Sequence, residues 1–189
     1  MIKEVALGEA TRIINHGPVV LVSSKSDKRN GVTPVAWTMP VDKDPPMILL
    51  EIGEGHFIYN CIMETGDFVV NVPSRNMAEV VVACGSCSGW KKDKFSEFKL
   101  SPHTSKKVVS PGIQGSLAFM ECELVRDVHL LEKYNLVMGK VKYAEAEEKA
   151  FRGHWLFEEE ELTTLHHLGN KVFCSPATDL IDMRMEVER

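Results

Sequence analysis

The chain of 189 residues has a 44% hydrophobic and a 26% charged share, the balance of an ordinary globular protein able to bury one core, read most simply as a single domain over 1–189 with an extended tail from about residue 170. A formal net charge of −5 argues against a nucleic-acid partner held by general electrostatics, and Lys91, Lys92 and Lys94 are too few for a basic tract. No apolar run approaches the roughly 18 residues of a membrane span, and MIKEVALGEATRI lacks the apolar centre of a secretory signal, so the expectation is a soluble, cytoplasmic protein without a membrane partner.

In chain order, residues 4–15 have weak helical spacing through Ala10, Ile13 and Ile14, stopped by Gly17-Pro18. Pro18 to Ser23 is a continuous apolar run and predicts a strand buried on both faces. The polar segment 26–31 predicts a turn, with Asn30-Gly31 supplying positive φ near a hairpin bend. A second, antiparallel strand is expected over 32–39, then a proline turn at Asp44-Pro45-Pro46 and a third strand from Met47 to Ile52. His56 to Thr65 reads as a helix with Gly66 as its C-terminal cap. Phe68 to Val72 is a strand, and Asn76 with Glu79 resembles a capping box before a helix ending near Gly85. Residues 86–115 are irregular. Met120, Cys122 and Leu124 alternate with Glu121 and Glu123, which predicts a strand with one wet face, and 137–143 alternates likewise. His129 to Asn135 is expected to be a hairpin connection. Residues 145–165 are acidic, helix or loop, with Trp155 and Phe157 as buried anchors. Strands outnumber helices without regular βαβ alternation, so the fold class is mainly β with peripheral helices, an antiparallel barrel.

The stretch from Gly31 to Asn71 has the parts a planar aromatic cofactor needs. Small and hydroxyl side chains (Thr33, Ala36, Thr38) let a ring approach backbone, and the Gly53-Glu54-Gly55 loop can reach a phosphate. Trp37 and Phe57 taken alone would be core filling, but they accompany Thr33, Thr38 and Asn71. Nucleotide motifs of the Rossmann and P-loop types are missing, as are a nucleophile elbow and a zincin helix. Cys84-Gly-Ser-Cys87 falls at the C-terminal end of a predicted helix, the wrong end for lowering a thiol pKa, and no second pair completes a zinc site. Packing is its favoured reading, ahead of redox chemistry or metal. Five cysteines, an odd number, fit a reducing compartment. His166 and His167 are adjacent, so their rings point apart. A surface or capping role is favoured over one reaching a cofactor face.

One series of motifs runs along most of 10–175: Gly17 to Ser23; Pro34-Val35-Ala36-Trp37-Thr38-Met39-Pro40-Val41; Asp44-Pro45-Pro46; His56-Phe57-Ile58-Tyr59; Thr65-Gly66-Asp67-Phe68-Val69-Val70-Asn71-Val72-Pro73; Ser88-Gly89 with Asp93-Lys94-Phe95; Glu121-Cys122; Met138 to Val141; and His166 to Gly169. With it the chain resembles the flavin-reductase-like family with the FMN-binding split barrel, within it the flavoredoxin branch. The resemblance implies a homodimer of six-stranded-type barrels with FMN near the subunit interface. Electrons would come from NAD(P)H or a redox protein. By position, it places Val35, Ala36, Trp37 and Thr38 against the flavin ring, with Thr33 nearby. Ile52-Gly53 and His56-Phe57 would lie along the ribityl-phosphate arm, Asn71 beside the ring layer, and Ser88, Lys91 and Lys94 would come from the irregular loop, of the same subunit or of its partner. No catalytic side chain and no metal are implied, because the flavin carries the chemistry. The implied function is an FMN-binding oxidoreductase of the flavin-reductase type, or a flavoredoxin-like electron carrier. A cofactor-free or metal-binding module using Cys84 and Cys87 is the third reading. Gly31 and Pro34 stand where relatives often have Asn and Thr, and Ile58 where they tend to have Thr, which removes groups that could hold a phosphate.

Overall fold

The computed structural model describes residues 5–14 and 16–177. A 3-10 helix, Leu7–Ile13, leads into β1 (Val20–Lys25), β2 (Asn30–Val35), β3 (Thr38–Lys43) and β4 (Pro46–Glu51). Helix α1 (Phe57–Thr65), β5 (Asp67–Val72), α2 (Ala78–Gly85) and the short α3 (Lys94–Glu97) follow. Then come the two-residue strands β6 (Pro102–His103) and β7 (Gly112–Ile113), β8 (Ala118–Val125), α4 (Val128–Tyr134), β9 (Leu136–Ala146), β10 (His166–Gly169) and β11 (Val172–Cys174).

Seven strands form one antiparallel sheet in the order β2-β1-β5-β8-β9-β4-β3, against the six-stranded type expected. Its two edges, β2 and β3, are consecutive in the chain and joined by Ala36 and Trp37 alone. A flat sheet of that size would be roughly 29 Å wide, whereas the link from Val35 to Thr38 spans at most about 11 Å. The sheet must therefore roll until its edges face each other, leaving a barrel split along β2 and β3. Pro34 fits this position, because a sheet tolerates proline on an edge strand, where the missing N–H is not needed.

Strand β1 shows why its run is unbroken. Val20 and Val22 enter an inner cluster with Val35, Leu50, Phe68, Val70, Cys122 and Val137. Val19 and Leu21 enter an outer one with Val32, Val81, Cys84, Phe95 and Ile113. Helix α1 places Phe57, Ile58, Cys61 and Ile62 in the inner cluster. It stops at Gly66, whose φ of 75° is the left-handed conformation expected of a C-terminal glycine. Behind α1, Gly31 leaves no room for a side chain: a Cβ there would lie 2.9 Å from Cys61 Sγ and 3.2 Å from Ile58 Cδ1. The two departures at Gly31 and Ile58 are thus one packing contact. Gly31→Asn alone should destabilise by about 1–3 kcal/mol through overpacking, and adding Ile58→Thr should recover part of that. Strictly additive changes in urea unfolding would refute the coupling.

Several expectations are corrected. The second strand ends at Val35, and Thr38 begins another that pairs with β4. The first hairpin turns at Ser26–Arg29, where Ser26 N donates to the Arg29 carbonyl at 3.0 Å, and Asn30 and Gly31 already lie in β2 without positive φ. No capping box forms at Asn76: a 3-10 turn over Arg75–Met77 precedes α2, whose start has no side-chain cap. His129 to Asn135 is mostly helix, because Asp127 accepts from His129 N and Leu130 N and caps α4. Glu121 is only 2% exposed rather than wet. A register shift follows it, and its carboxylate accepts from the Lys106 and Lys107 amides. Trp155 and Phe157 are half-buried and stacked on each other. The part of the tail from residue 178 lies outside the described residues.

Candidate functional site

Among the described residues, the split leaves the outer edge of β2 without a strand partner, and two hollows that meet along it form a groove. The first, about 210 Å³, is lined by Thr33 to Trp37 on one side and by Glu51, Ile52, Gly53 and His56 on the other. Two backbone bonds fix this side: Glu51 N donates to the Trp37 carbonyl at 3.0 Å and His56 N to the Gly53 carbonyl at 3.0 Å. The second, about 430 Å³, meets the first at Thr33 and His56. It continues past Gly55 and Phe57 to the end of α2 and the loop carrying Ser88, Gly89 and Lys94.

The groove has opposite electrostatic ends. Glu51 lines the first hollow. The second receives the N-terminus of α1, where His56 gives no side-chain cap and the Tyr59 amide donates to the His56 carbonyl at 3.0 Å, leaving the two amides before it at the positive end of the helix. Lys94 lies at the same end. Asp93 caps α3 by accepting from Phe95 N and Ser96 N, which sets Lys94 in the helix's first turn. Its side chain is only 5% exposed, and its ammonium donates to the Cys84 carbonyl at the C-terminal end of α2, the favourable end for a cation. Burial pushes the Lys94 pKa below its ordinary value. The shape and polarity suit a flat ligand with an anionic tail, ring beside 33–37 and tail toward Lys94.

A profile of the flavin reductase like domain matches residues 12–166. The chain belongs to the flavin reductase like family. Among its relatives is the uncharacterized protein YddH of Escherichia coli strain K12, 32% identical over 175 residues, covering 90% of this chain and 93% of YddH. An FMN-binding domain of a flavin reductases-like enzyme from Shewanella baltica OS155 superposes with a TM-score of 0.83 at 25% identity, covering 94% of this chain and 95% of that one. Flavoredoxin of Desulfovibrio vulgaris (Miyazaki F) shares the fold, with a TM-score of 0.80 at 20% identity, covering 98% and 100% of the two chains. The split-barrel architecture is that of the family.

Within this flavin reductase like fold, Thr33, Val35, Ala36, Trp37, Ile52, Gly53, His56, Phe57, Ser88 and Lys94 all line the two hollows. Three other predicted residues do not. Thr38 turns into a separate apolar hollow with Met39, Leu49, Tyr134 and Leu136, which Ala36 and Trp37 also border. Asn71 is fully buried. Its amide donates to the Leu21 carbonyl and Ser23 Oγ, and its Oδ1 accepts from Ile113 N at 2.7 Å, so it ties β5 to β1 and β7. Lys91 is exposed, and its backbone amide donates to the Ser88 carbonyl at 3.1 Å. His166 and His167, on β10, do not line these two hollows; His167 lines a third, of about 240 Å³, between α2 and the β10–β11 hairpin, which shares Pro34 and Ala36 with the first.

Cys84 is fully buried, and burial pushes its thiol up to about 11, the opposite of what an activated thiolate needs. Among the described residues, no group of three or more His, Cys, Asp or Glu could hold a metal ion, and no helix is long and apolar enough to cross a membrane. The sequence reading missed Glu51, an acidic residue lining the first hollow, and Trp90, whose indole donates to the Gly55 carbonyl at 2.9 Å. The visible signals were a charge closing an apolar strand and an aromatic beside Ser88-Gly89.

Proposed function

We propose that this protein binds FMN in the groove along β2 and acts as an oxidoreductase of the flavin-reductase type, moving electrons between NAD(P)H and flavin or a partner protein. The carrying observation is the groove's polarity: a narrow seat on a free sheet edge at one end, a helix N-terminus with the buried Lys94 at the other. These residues fit FMN. Val35 to Trp37 would lie along the ring, Gly53 and His56 beside the ribityl chain, and the α1 amides, Ser88 and Lys94 toward the phosphate. When bound, FMN supplies the redox chemistry. The chain's own residues orient the ring at the split, leave its mouth open beside Trp37, which is 52% exposed, and neutralise the phosphate. Purified protein should show flavin bands near roughly 370 and 450 nm, as expected of a bound flavin cofactor, or take up FMN in titration. A colourless protein that takes up none would end this reading.

The open mouth also suits a flavoredoxin-like carrier that exchanges electrons with a redox protein. NADH and NADPH oxidation with excess free flavin separates the two: turnover supports the reductase, its absence the carrier. The expected assembly is a homodimer. Strand β3 is a sheet edge with every residue from Met39 to Lys43 exposed, Val41 at 48% among them, and Met39 at 56% and Tyr134 at 49% exposure line the apolar hollow beside the groove. Such a patch next to a cofactor groove suits a second copy. Met39→Glu with Val41→Glu should convert the dimer to monomer in light scattering. A wild-type chain already monomeric at micromolar concentration would refute it.

A further inference from the structure

The loop that carries Ser88 toward Lys94 is strapped over the start of α1 from two sides. From one side comes Arg29, held in the β1–β2 turn by buried Ser26, whose hydroxyl donates to the Arg29 carbonyl at 2.9 Å. The Arg29 guanidinium donates to the carbonyls of Gly89 and, at 3.2 Å, of Trp90. It also lies 4.7 Å from the centre of the Phe57 ring. From the other side, the Trp90 indole reaches the Gly55 carbonyl and packs edge-on against Phe57 with centroids 5.1 Å apart. Gly89 lets the strap lie flat: a Cβ there would sit 2.8 Å from Phe57 Cβ. Arg29 Nε is buried without a partner, which costs stability. The geometry is therefore held against a penalty that the strap contacts must offset.

We infer that Arg29 is a specificity-determining positioning residue. By clasping Gly89 and Trp90 onto Phe57, it keeps Ser88 and the loop toward Lys94 closed over the α1 N-terminus, and so sets the preference for the phosphorylated flavin over riboflavin. This rests on the FMN reading above. Arg29 does not line the groove, so it acts through the loop. Both bonds leave Nη2 while the guanidinium carbon sits over the Phe57 ring, and a lysine ammonium, a compact and strongly hydrated point charge, does not combine such carbonyl bonds with stacking on a ring.

The test compares FMN and riboflavin affinities, by flavin fluorescence quenching, for the wild type, Arg29→Gln, Arg29→Lys and Trp90→Phe, with hydrogen exchange of the flavin-free proteins over 86–92. Opening the clasp should weaken FMN by about tenfold, the scale of removing one charge-assisted hydrogen bond, and leave riboflavin unchanged. Arg29→Lys should recover only part, Trp90→Phe should shift FMN in the same direction, and exchange over 86–92 should quicken in Arg29→Gln. Equal losses for both flavins mark general destabilisation and overturn the inference, as does no change for either. A wild type that binds neither flavin overturns the FMN reading and this preference with it, whereas a wild type that binds FMN with unaffected Arg29 variants overturns the clasp alone.

Discussion

Lys94→Met is expected to weaken FMN binding by roughly ten- to a hundredfold while leaving riboflavin nearly untouched. That range follows from a hydrogen bond to a charged group, about 1.5–3 kcal/mol, at 1.4 kcal/mol per factor of ten. Lys94 is nearly buried, with its ammonium on the Cys84 carbonyl beside the α1 N-terminus. In the free protein, water is largely kept from that charge and its pKa is lowered. A phosphate arriving there meets a cation with little hydration left to lose, which strengthens the contact. FMN affinity should also fall as pH rises through the depressed lysine pKa, whereas riboflavin affinity should not. Methionine keeps much of the aliphatic volume and relieves the buried charge but leaves the Cys84 carbonyl without this donor, so the melting temperature should move little. Fluorescence titration of both flavins decides the matter: equal affinity of variant and wild type for FMN would remove Lys94 from the site.

Asn71→Leu should be the most destabilising of these substitutions while leaving flavin affinity of the folded protein unchanged. The side chain is fully buried and satisfies the Leu21 carbonyl, Ser23 Oγ and the Ile113 amide together. Leucine has similar volume but no polar atoms, so the Ile113 amide loses this acceptor and the Leu21 carbonyl and Ser23 Oγ lose this donor, Ser23 Oγ keeping its bond to the Pro111 carbonyl. At about 1–3 kcal/mol for each orphaned group, the loss is of order 3–5 kcal/mol, a large part of the roughly 5–15 kcal/mol that holds a domain together. Urea unfolding monitored by tryptophan fluorescence measures the first half of the prediction. A flavin titration well below the unfolding midpoint measures the second. If Asn71 touched the cofactor instead, affinity would fall with stability intact.

Much of the barrel was legible because its strands carry their burial in their order. Val20 and Val22 face one cluster and Val19 and Leu21 the other, and such a strand must read as unbroken apolar sequence. Helix α1 and its Gly66 stop were equally plain, since periodicity and a left-handed cap are local properties. The groove's lining, from Thr33 to Trp37 and from Ile52 to Phe57, was readable because it lies on two short, continuous segments. Asn71 was not, because an asparagine in an apolar strand looks the same whether it serves a ligand or three strands. Glu121 misled for a similar reason: alternation put it in water, but the backbone of the 106–107 loop covers it.

What the sequence determined by itself is therefore local and periodic: mainly antiparallel strands, a peripheral helix with its cap, and a motif order shared with the flavin reductase like family. What only the tertiary structure decided is which distant segments meet. The two-residue link at Ala36–Trp37 rolls a seven-stranded sheet and exposes the edge of β2. Gly31 and Ile58, read as two separate departures, prove to be one contact. Lys94 reaches the groove, while Lys91, three residues away, remains outside. The physical reason is the same in each case. Propensity and burial pattern act along the chain within a few residues. The pairing of charge, glycine and ring across it is fixed only when the sheet closes.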